Sequence, residues 1–173
     1  MNEALNMILT RRSVKAYKPE MPPRELIDEV IMAGTYAPTG MNRQSPIILA
    51  ITDKATRDRL SKLNAEIMGG SGDPFYGAPV VLVVLADKAQ PTYMYDGSLV
   101  MANLLLAAHA AGLGSCWIHR AKEEFETKEG KEFFKSLGIN DEYEGVGHCI
   151  IGYIDGEKPK ASPRKNDRVF FVE

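Results

Sequence analysis

Two periods of apolar residues alternate along this chain, and the points where one gives way to the other mark its elements. Leu5, Ile8 and Leu9 recur at helical spacing behind Asn2, a capping residue type, and predict a first helix ending near Arg11 to Ser13. MPPRELIDEVIMAGTYAP opens with prolines and sets Leu26, Ile27, Val30 and Ile31 on one face; Gly34 and Pro38 close it. SPIILAIT reads as a buried strand, and DKATRDRLSKLNAEIM as a helix capped by Asp53. GGSGDPFYGAP carries four glycines and two prolines and reads as a mobile loop. VVLVVLAD is continuously apolar and β-branched, which predicts a central strand covered on both faces.

The next stretch, SLVMANLLLAAHAAG, is apolar nearly all round and predicts a buried helix ending in glycine. LGSCWIH follows as a short strand or turn. KEEFETKEGKEFFKSLG reads as one amphipathic helix with Phe125, Phe133 and Phe134 inward. VGHCIIGYI is another strand, and KPKASPRKNDRVFFVE is a loop leading to a short strand over Val169 to Val172. Helices and strands mix without a strict strand-helix-strand beat. The pattern predicts an α+β fold, with a central sheet flanked by helices on both faces, in a single domain over 1–173.

Composition narrows the class of partner. The chain has 173 residues, enough to bury a substantial core without disulfides. Its formal net charge of −2 argues against a general nucleic-acid binder, which needs a basic face to displace counterions from phosphates. MNEALNMILT lacks the pattern of a signal peptide, and no apolar run reaches the about 20 residues that span a bilayer. The expectation is a cytoplasmic protein with no membrane partner. Cys116 and Cys149 lie in apolar segments, outside any CxxC, and read as buried free thiols. His109 and His148 read as satisfied core histidines, and no metal site is expected.

One charge cluster stands out against this balance. RRSVKAYKP puts Arg11, Arg12, Lys15 and Lys18 at the turn after the first helix. Cations in a last helical turn complement the macrodipole, which accounts for Arg11 and Arg12. It does not account for Lys15, which lies beyond the helix in a strand-like stretch.

Four stretches, taken in order, resemble the nitroreductase family of FMN-dependent oxidoreductases: RRSVKAY, APTGMNRQSP, AAHAAGLGSCWIH and the basic SPRK near the end. The resemblance covers nearly the whole chain. It implies a nitroreductase-like fold, a central mixed and largely antiparallel sheet flanked by helices, built as an intertwined homodimer with FMN at the interface. It also implies site residues. Arg11 and Ser13 correspond to contacts with the FMN phosphate and ribityl chain, with Arg12 beside them, and Lys15 to a cation at the N1/O2 edge of the ring. Those roles suit the residue types, since arginine forks onto phosphate and lysine offers a point charge. Pro38, Thr39, Gly40 and Asn42 correspond to the segment lining the ring from the partner subunit. Trp117, Ile118 and His119 correspond to the segment whose main-chain N–H points at flavin N5. His119 as a general acid is disfavoured, because the family does not depend on a histidine there. Arg164 and Lys165 correspond to the C-terminal basic pair on the phosphate.

The activity so implied is hydride transfer from NADH or NADPH through flavin N5 to a nitroaromatic, quinone or similar small acceptor, by a ping-pong mechanism. No residue of the chain is expected to be catalytic in its own right; Lys15 tunes the cofactor. The chain is near the short end of the family, which leaves the loop from Gly69 to Ala78 as its one candidate lid. GLGS lacks the third glycine and flanking strand of a dinucleotide fingerprint, so NAD(P)H is expected to stack on the flavin. Two alternatives stand beside this reading: a flavin carrier or sensor without turnover, and a flavin-destroying or dehalogenating relative.

Overall fold

The computed structural model describes residues 2–140 and 142–173. Its elements, in chain order, are α1 (Glu3–Thr10), α2 (Arg24–Thr35), a single 3-10 turn (Gly40–Asn42), β1 (Ile47–Ile51), α3 (Lys54–Ile67), β2 (Val80–Asp87), α4 (Tyr93–Ala110), β3 (Gly114–Ile118), α5 (Ala121–Glu126), α6 (Lys128–Ser136) and β4 (Tyr143–Gly152). The strands form one sheet in the order β1-β2-β4-β3, and every neighbouring pair is antiparallel. Its parallel element is a single bridge from Ser13 to Ser115.

The pleat of β2 divides the core in two. Val81, Val83 and Leu85 face a cluster with Leu60 of α3, Phe125 of α5 and Phe134 of α6. Val80, Leu82, Val84 and Ala86 face Ile27 and Val30 of α2 and Val100, Met101 and Leu104 of α4. All seven are fully buried, as a central strand covered on both faces requires. Gly34 lets α2 approach α4 closely, because a Cβ there would stand 2.6 Å from Leu104 Cδ2. The expected caps are present: Asn2 Oδ1 accepts from Leu5 N at 2.9 Å, and Asp53 Oδ2 from Thr56 N at 2.7 Å.

Several expectations are corrected. The charged stretch from Lys122 forms two helices rather than one. Thr127 is extended (φ −66°, ψ 159°) and caps α6 by accepting from Gly130 N at 3.0 Å. Helix α4 starts at Tyr93 and is not covered all round, since Tyr95, Leu99 and Ala102 are exposed. Strand β1 is an edge strand on which only Ile51 is buried. Residues Val169 to Val172 form no strand and lie exposed. The loop expected to be mobile is anchored over its second half, where Asp73 binds Arg57, Ser61 and the amides of Phe75 and Gly77.

Candidate functional site

Past Thr10 the chain leaves helical geometry at Arg11 (φ −58°, ψ 138°) and runs extended along the sheet. Val14 N donates to Ser115 O at 2.9 Å, and Lys18 N to Tyr153 O at 2.9 Å. Val14 and Tyr17 turn into the core, which leaves Ser13, Lys15 and Ala16 facing outward. Gly114 permits this docking, because a Cβ there would lie 3.1 Å from Val14 Cβ.

The cations at the start of this segment are unevenly matched. Arg12 Nη1 donates to Leu9 O at 2.8 Å and to Arg11 O at 2.7 Å, so part of Arg12 does decorate the helix end. Arg11 Nη1 and Arg12 Nε are buried with no hydrogen-bond partner among the described residues. Lys158 joins them, its Nζ 3.3 Å from His109 Nε2, which in turn lies 3.0 Å from Thr10 Oγ1. Burial, then the charges of Lys158, Arg11 and Arg12, hold His109 below its usual range. Burial, then Arg12 and Arg11, hold the Lys158 ammonium below its own. Among the described residues no carboxylate pairs with any of the three cations. Positive charge without a counter-ion, together with an orphaned buried guanidinium nitrogen, fits an anion.

His109 is therefore half-buried beside cations rather than in the core. Arg164 and Lys165 are exposed and make no hydrogen bond or ion pair among the described residues. Lys158 is a residue that sequence reasoning missed; within a run of charges it carries no mark distinguishing it from its neighbours. Further along, Lys15 Nζ lies 5.5 Å from the centre of the Tyr76 ring. Burial raises the Cys116 thiol's pKa, and the neighbouring Ser13 with the Lys15 and Arg11 charges draws it part of the way back.

The turn after α2 is held by α4. Gly40 N donates to Asp96 Oδ1 at 3.0 Å, and Asp96 Oδ2 accepts from Thr92 Oγ1 at 2.9 Å. A carboxylate in the first turn of α4 is well placed against the helix dipole. A Cβ at 40 would stand 2.3 Å from Thr92 Oγ1, so a larger residue would have to displace the Thr92 side chain that binds Asp96. Thr39 Oγ1 accepts from Gln44 N at 3.0 Å. Met41, Asn42 and Gln44 all have positive φ, at 53°, 54° and 52°, a concentration of strain typical of ligand-binding backbone. Pro38 is exposed beside them. No hydrogen bond joins this turn to residues 11–15 among the described residues.

The end of β3 is set from beneath. Trp117 lays its indole over Gly147, where a Cβ would fall 2.1 Å from Nε1. Ile118 is buried and His119 exposed. The carbonyl of His119 accepts from Asn64 Nδ2 at 2.9 Å, and that of Ile118 lies 3.4 Å from His148 Nδ1. Arg120 then turns into α5 with φ 78°. His148 is fully buried and satisfied, as its setting predicted. Cys116 and Cys149 are buried free thiols.

Residues 8–69 and 62–153 match the family model described as the nitroreductase family. The chain belongs to the nitroreductase family. A relative from Archaeoglobus fulgidus, named for an NADH dehydrogenase/NAD(P)H nitroreductase, is 31% identical over 163 residues, 91% of this chain and 89% of its own. A nitroreductase of Bacteroides fragilis with bound FMN superposes with a TM-score of 0.92 at 26% identity, over the whole of both chains. An iodotyrosine deiodinase of Thermotoga neapolitana is 26% identical over 170 residues, 87% of this chain and 88% of its own. The nitroreductase fold accounts for the antiparallel sheet with helices on both faces. A cleft of about 500 Å³ between α3 and residues 70–73 contains none of the residues that the sequence assigns to the cofactor. Among the described residues no helix is long and apolar enough to cross a membrane.

Proposed function

We propose that this nitroreductase-family chain is one FMN-binding domain over residues 1–173, acting as an NAD(P)H-dependent oxidoreductase in a homodimer. The observation that carries the reading is the pair of buried guanidinium nitrogens on Arg11 and Arg12, which have no hydrogen-bond partner and no ion pair among the described residues and share the field of Lys158. A terminal phosphate satisfies such donors with charge-assisted hydrogen bonds. The FMN-bound nitroreductase of the same fold supports that choice of anion.

In this reading Arg11, Arg12 and Ser13 hold the phosphate, and Lys158 adds charge from the C-terminal side. Arg164 and Lys165, further along the exposed tail, are its outer contacts. Lys15 sets a positive charge at the N1/O2 edge of the ring. Pro38, Thr39, Gly40 and Asn42 line the ring of the partner's site on a backbone that Asp96 and Thr39 Oγ1 hold rigid. The main chain of Trp117 to His119 offers an N–H toward N5, with the His119 carbonyl already engaged by Asn64. FMN held there would supply the redox chemistry for reducing a nitroaromatic or quinone at the expense of NADH or NADPH. The protein's share is orientation, exclusion of water and a preset field.

The dimer is supported by apolar surface left open on a single chain. Helix α1 buries no residue, and Leu5, Ile8 and Leu9 are each more than half exposed. Leu99, Phe170 and Phe171 are exposed as well. Patches of this kind mark contact surfaces.

The test is a visible spectrum of the purified protein, FMN content per subunit, light scattering, and turnover of menadione and nitrofurazone with each nicotinamide. Yellow dimers that turn over either acceptor are expected. Colourless protein that takes up no added FMN overturns the assignment, and yellow protein without turnover points to a carrier. The deiodinase relative favours a second reading, reductive dehalogenation, so iodotyrosine belongs in the acceptor panel.

A further inference from the structure

The loop between α3 and β2 holds one residue in a costly conformation, and what surrounds it indicates why. Asp73 Oδ1 accepts from Ser61 Oγ at 2.6 Å and Phe75 N at 2.9 Å; Oδ2 accepts from Arg57 Nη2 at 2.6 Å and Gly77 N at 2.7 Å. The buried Arg57 also donates from Nε to Ala78 O at 3.0 Å. Phe75 is fully buried, its ring 5.4 Å from the Arg57 guanidinium and 5.1 Å from the His148 ring. The chain is thus fixed at 73, 75, 77 and 78, leaving Tyr76 alone pointing outward.

Tyr76 has φ 52°, strained left-handed geometry that a bulky residue rarely adopts. That geometry belongs to the turn in which Gly77 N donates to Asp73 Oδ2 and Ala78 N to Phe75 O. The conformation also turns the ring toward Lys15, whose Nζ lies 5.5 Å from the ring centre. Lys15 is exposed and has no carboxylate partner among the described residues, so the ring is what limits where its long side chain points.

We infer that Tyr76 is the positioning residue for Lys15: the Asp73 clamp holds the phenol ring against the ammonium, so that the charge stands in one place at the flavin edge. The inference rests on the proposed role of Lys15 beside FMN. It gives the loop from Gly69 to Ala78 a fixed supporting part at its second half, where sequence alone expects a mobile lid. Among the described residues Tyr76 makes no hydrogen bond to the phosphate seat or to the turn at 38–42, so the contact through which it would act on the cofactor is the one with Lys15.

Two measurements test this on wild type, Tyr76→Phe, Tyr76→Leu, Lys15→Met and the double variant Lys15→Met/Tyr76→Leu. The first is the NMR shift of the Lys15 ε-methylene protons in flavin-free protein. A ring-current shift is expected in wild type and Tyr76→Phe and absent in Tyr76→Leu. The second is the midpoint potential of the FMN holoprotein. Lys15→Met and Tyr76→Leu should both lower it, Tyr76→Phe should keep it, and the double variant should match Lys15→Met. A lowered potential in Lys15→Met with a wild-type value in Tyr76→Leu overturns the inference and leaves the role of Lys15 standing. An unchanged potential in Lys15→Met overturns that role and the inference with it. A merely structural tyrosine would move the thermal midpoint in both Tyr76 variants and the potential in neither.

Discussion

Glu124 and His148 meet where no solvent reaches: both side chains are wholly buried, and Oε2 lies 3.0 Å from Nε2. Asn64 completes the group, donating to the other Glu124 oxygen and to the His119 carbonyl. Its own Oδ1 has no partner among the described residues. Three polar side chains in an apolar setting are tolerated only while they satisfy one another.

Removing one member should therefore be severe. Glu124→Leu is expected to cost about 3–5 kcal/mol, the scale of breaking a buried pair and stranding its partner. Glu124→Gln keeps the shape and one acceptor and should cost clearly less. Urea unfolding of flavin-free protein measures both, and a Glu124→Leu midpoint equal to wild type would contradict the account.

The anion seat predicts a graded series. Arg11→Ala should weaken FMN binding by roughly 2–3 kcal/mol, a lost charge-assisted hydrogen bond. Arg12→Ala should weaken it less, because Arg12 Nη1 is already committed to Leu9 O and Arg11 O. Lys158→Ala should fall between, with an effect that shrinks as salt rises. Flavin fluorescence titrations give all three constants, and equal affinity in wild type and Arg11→Ala would show that no phosphate sits there.

Asp73 sets an acid limit on the loop it clamps. Burial alone would raise its pKa, but the bonds from Arg57, Ser61, Gly77 and Phe75 outweigh that and leave it below the ordinary range. A carboxyl depressed in the folded state contributes stability above its unfolded pKa of about 3.9 and loses it as pH falls through the folded value. Thermal midpoints of wild type should therefore fall steeply below about pH 4. Asp73→Asn should start lower and show a shallower acid limb, and parallel limbs would exclude Asp73 as the cause.

His109 reports on the seat from the other direction. Its folded pKa is depressed, so the unfolded chain binds the proton more readily, and folding loses stability as pH falls through about 6.5. An anion beside Arg11, Arg12 and Lys158 offsets the field acting on His109. NMR titration should find His109 below its usual range without FMN and shifted upward with it. A His109 pKa indifferent to FMN would place the phosphate elsewhere.

Local signals in the sequence were read correctly where local physics decides the outcome. Asn2 and Asp53 cap the helices expected of them, and β2 is central because its β-branched run buries both faces. Arg11 was legible as a helix-end cation, but its orphaned Nη1 depends on which residues fail to approach it. The break at Thr127 is settled by packing rather than by local pattern: α6 folds back so close to the end of α5 that a Cβ on Gly130 would lie 2.1 Å from Glu124 O. The open side of α4 was misread for a related reason, since hydrophobic content cannot tell a core face from a face that awaits a partner. Asn64 and Glu124 each look like routine surface chemistry until three elements bring them together with the buried His148.

That last group also bears on the order in which the molecule assembles. The Asn64–Glu124 bond closes a span of 60 residues, Asn64–His119 one of 55 and Glu124–His148 one of 24. Loops of that size cost chain entropy before any contact repays it, so these bonds are expected to form late in folding. They act as a latch on a finished structure: loosening the latch hastens unfolding while leaving the rate of folding nearly as it was.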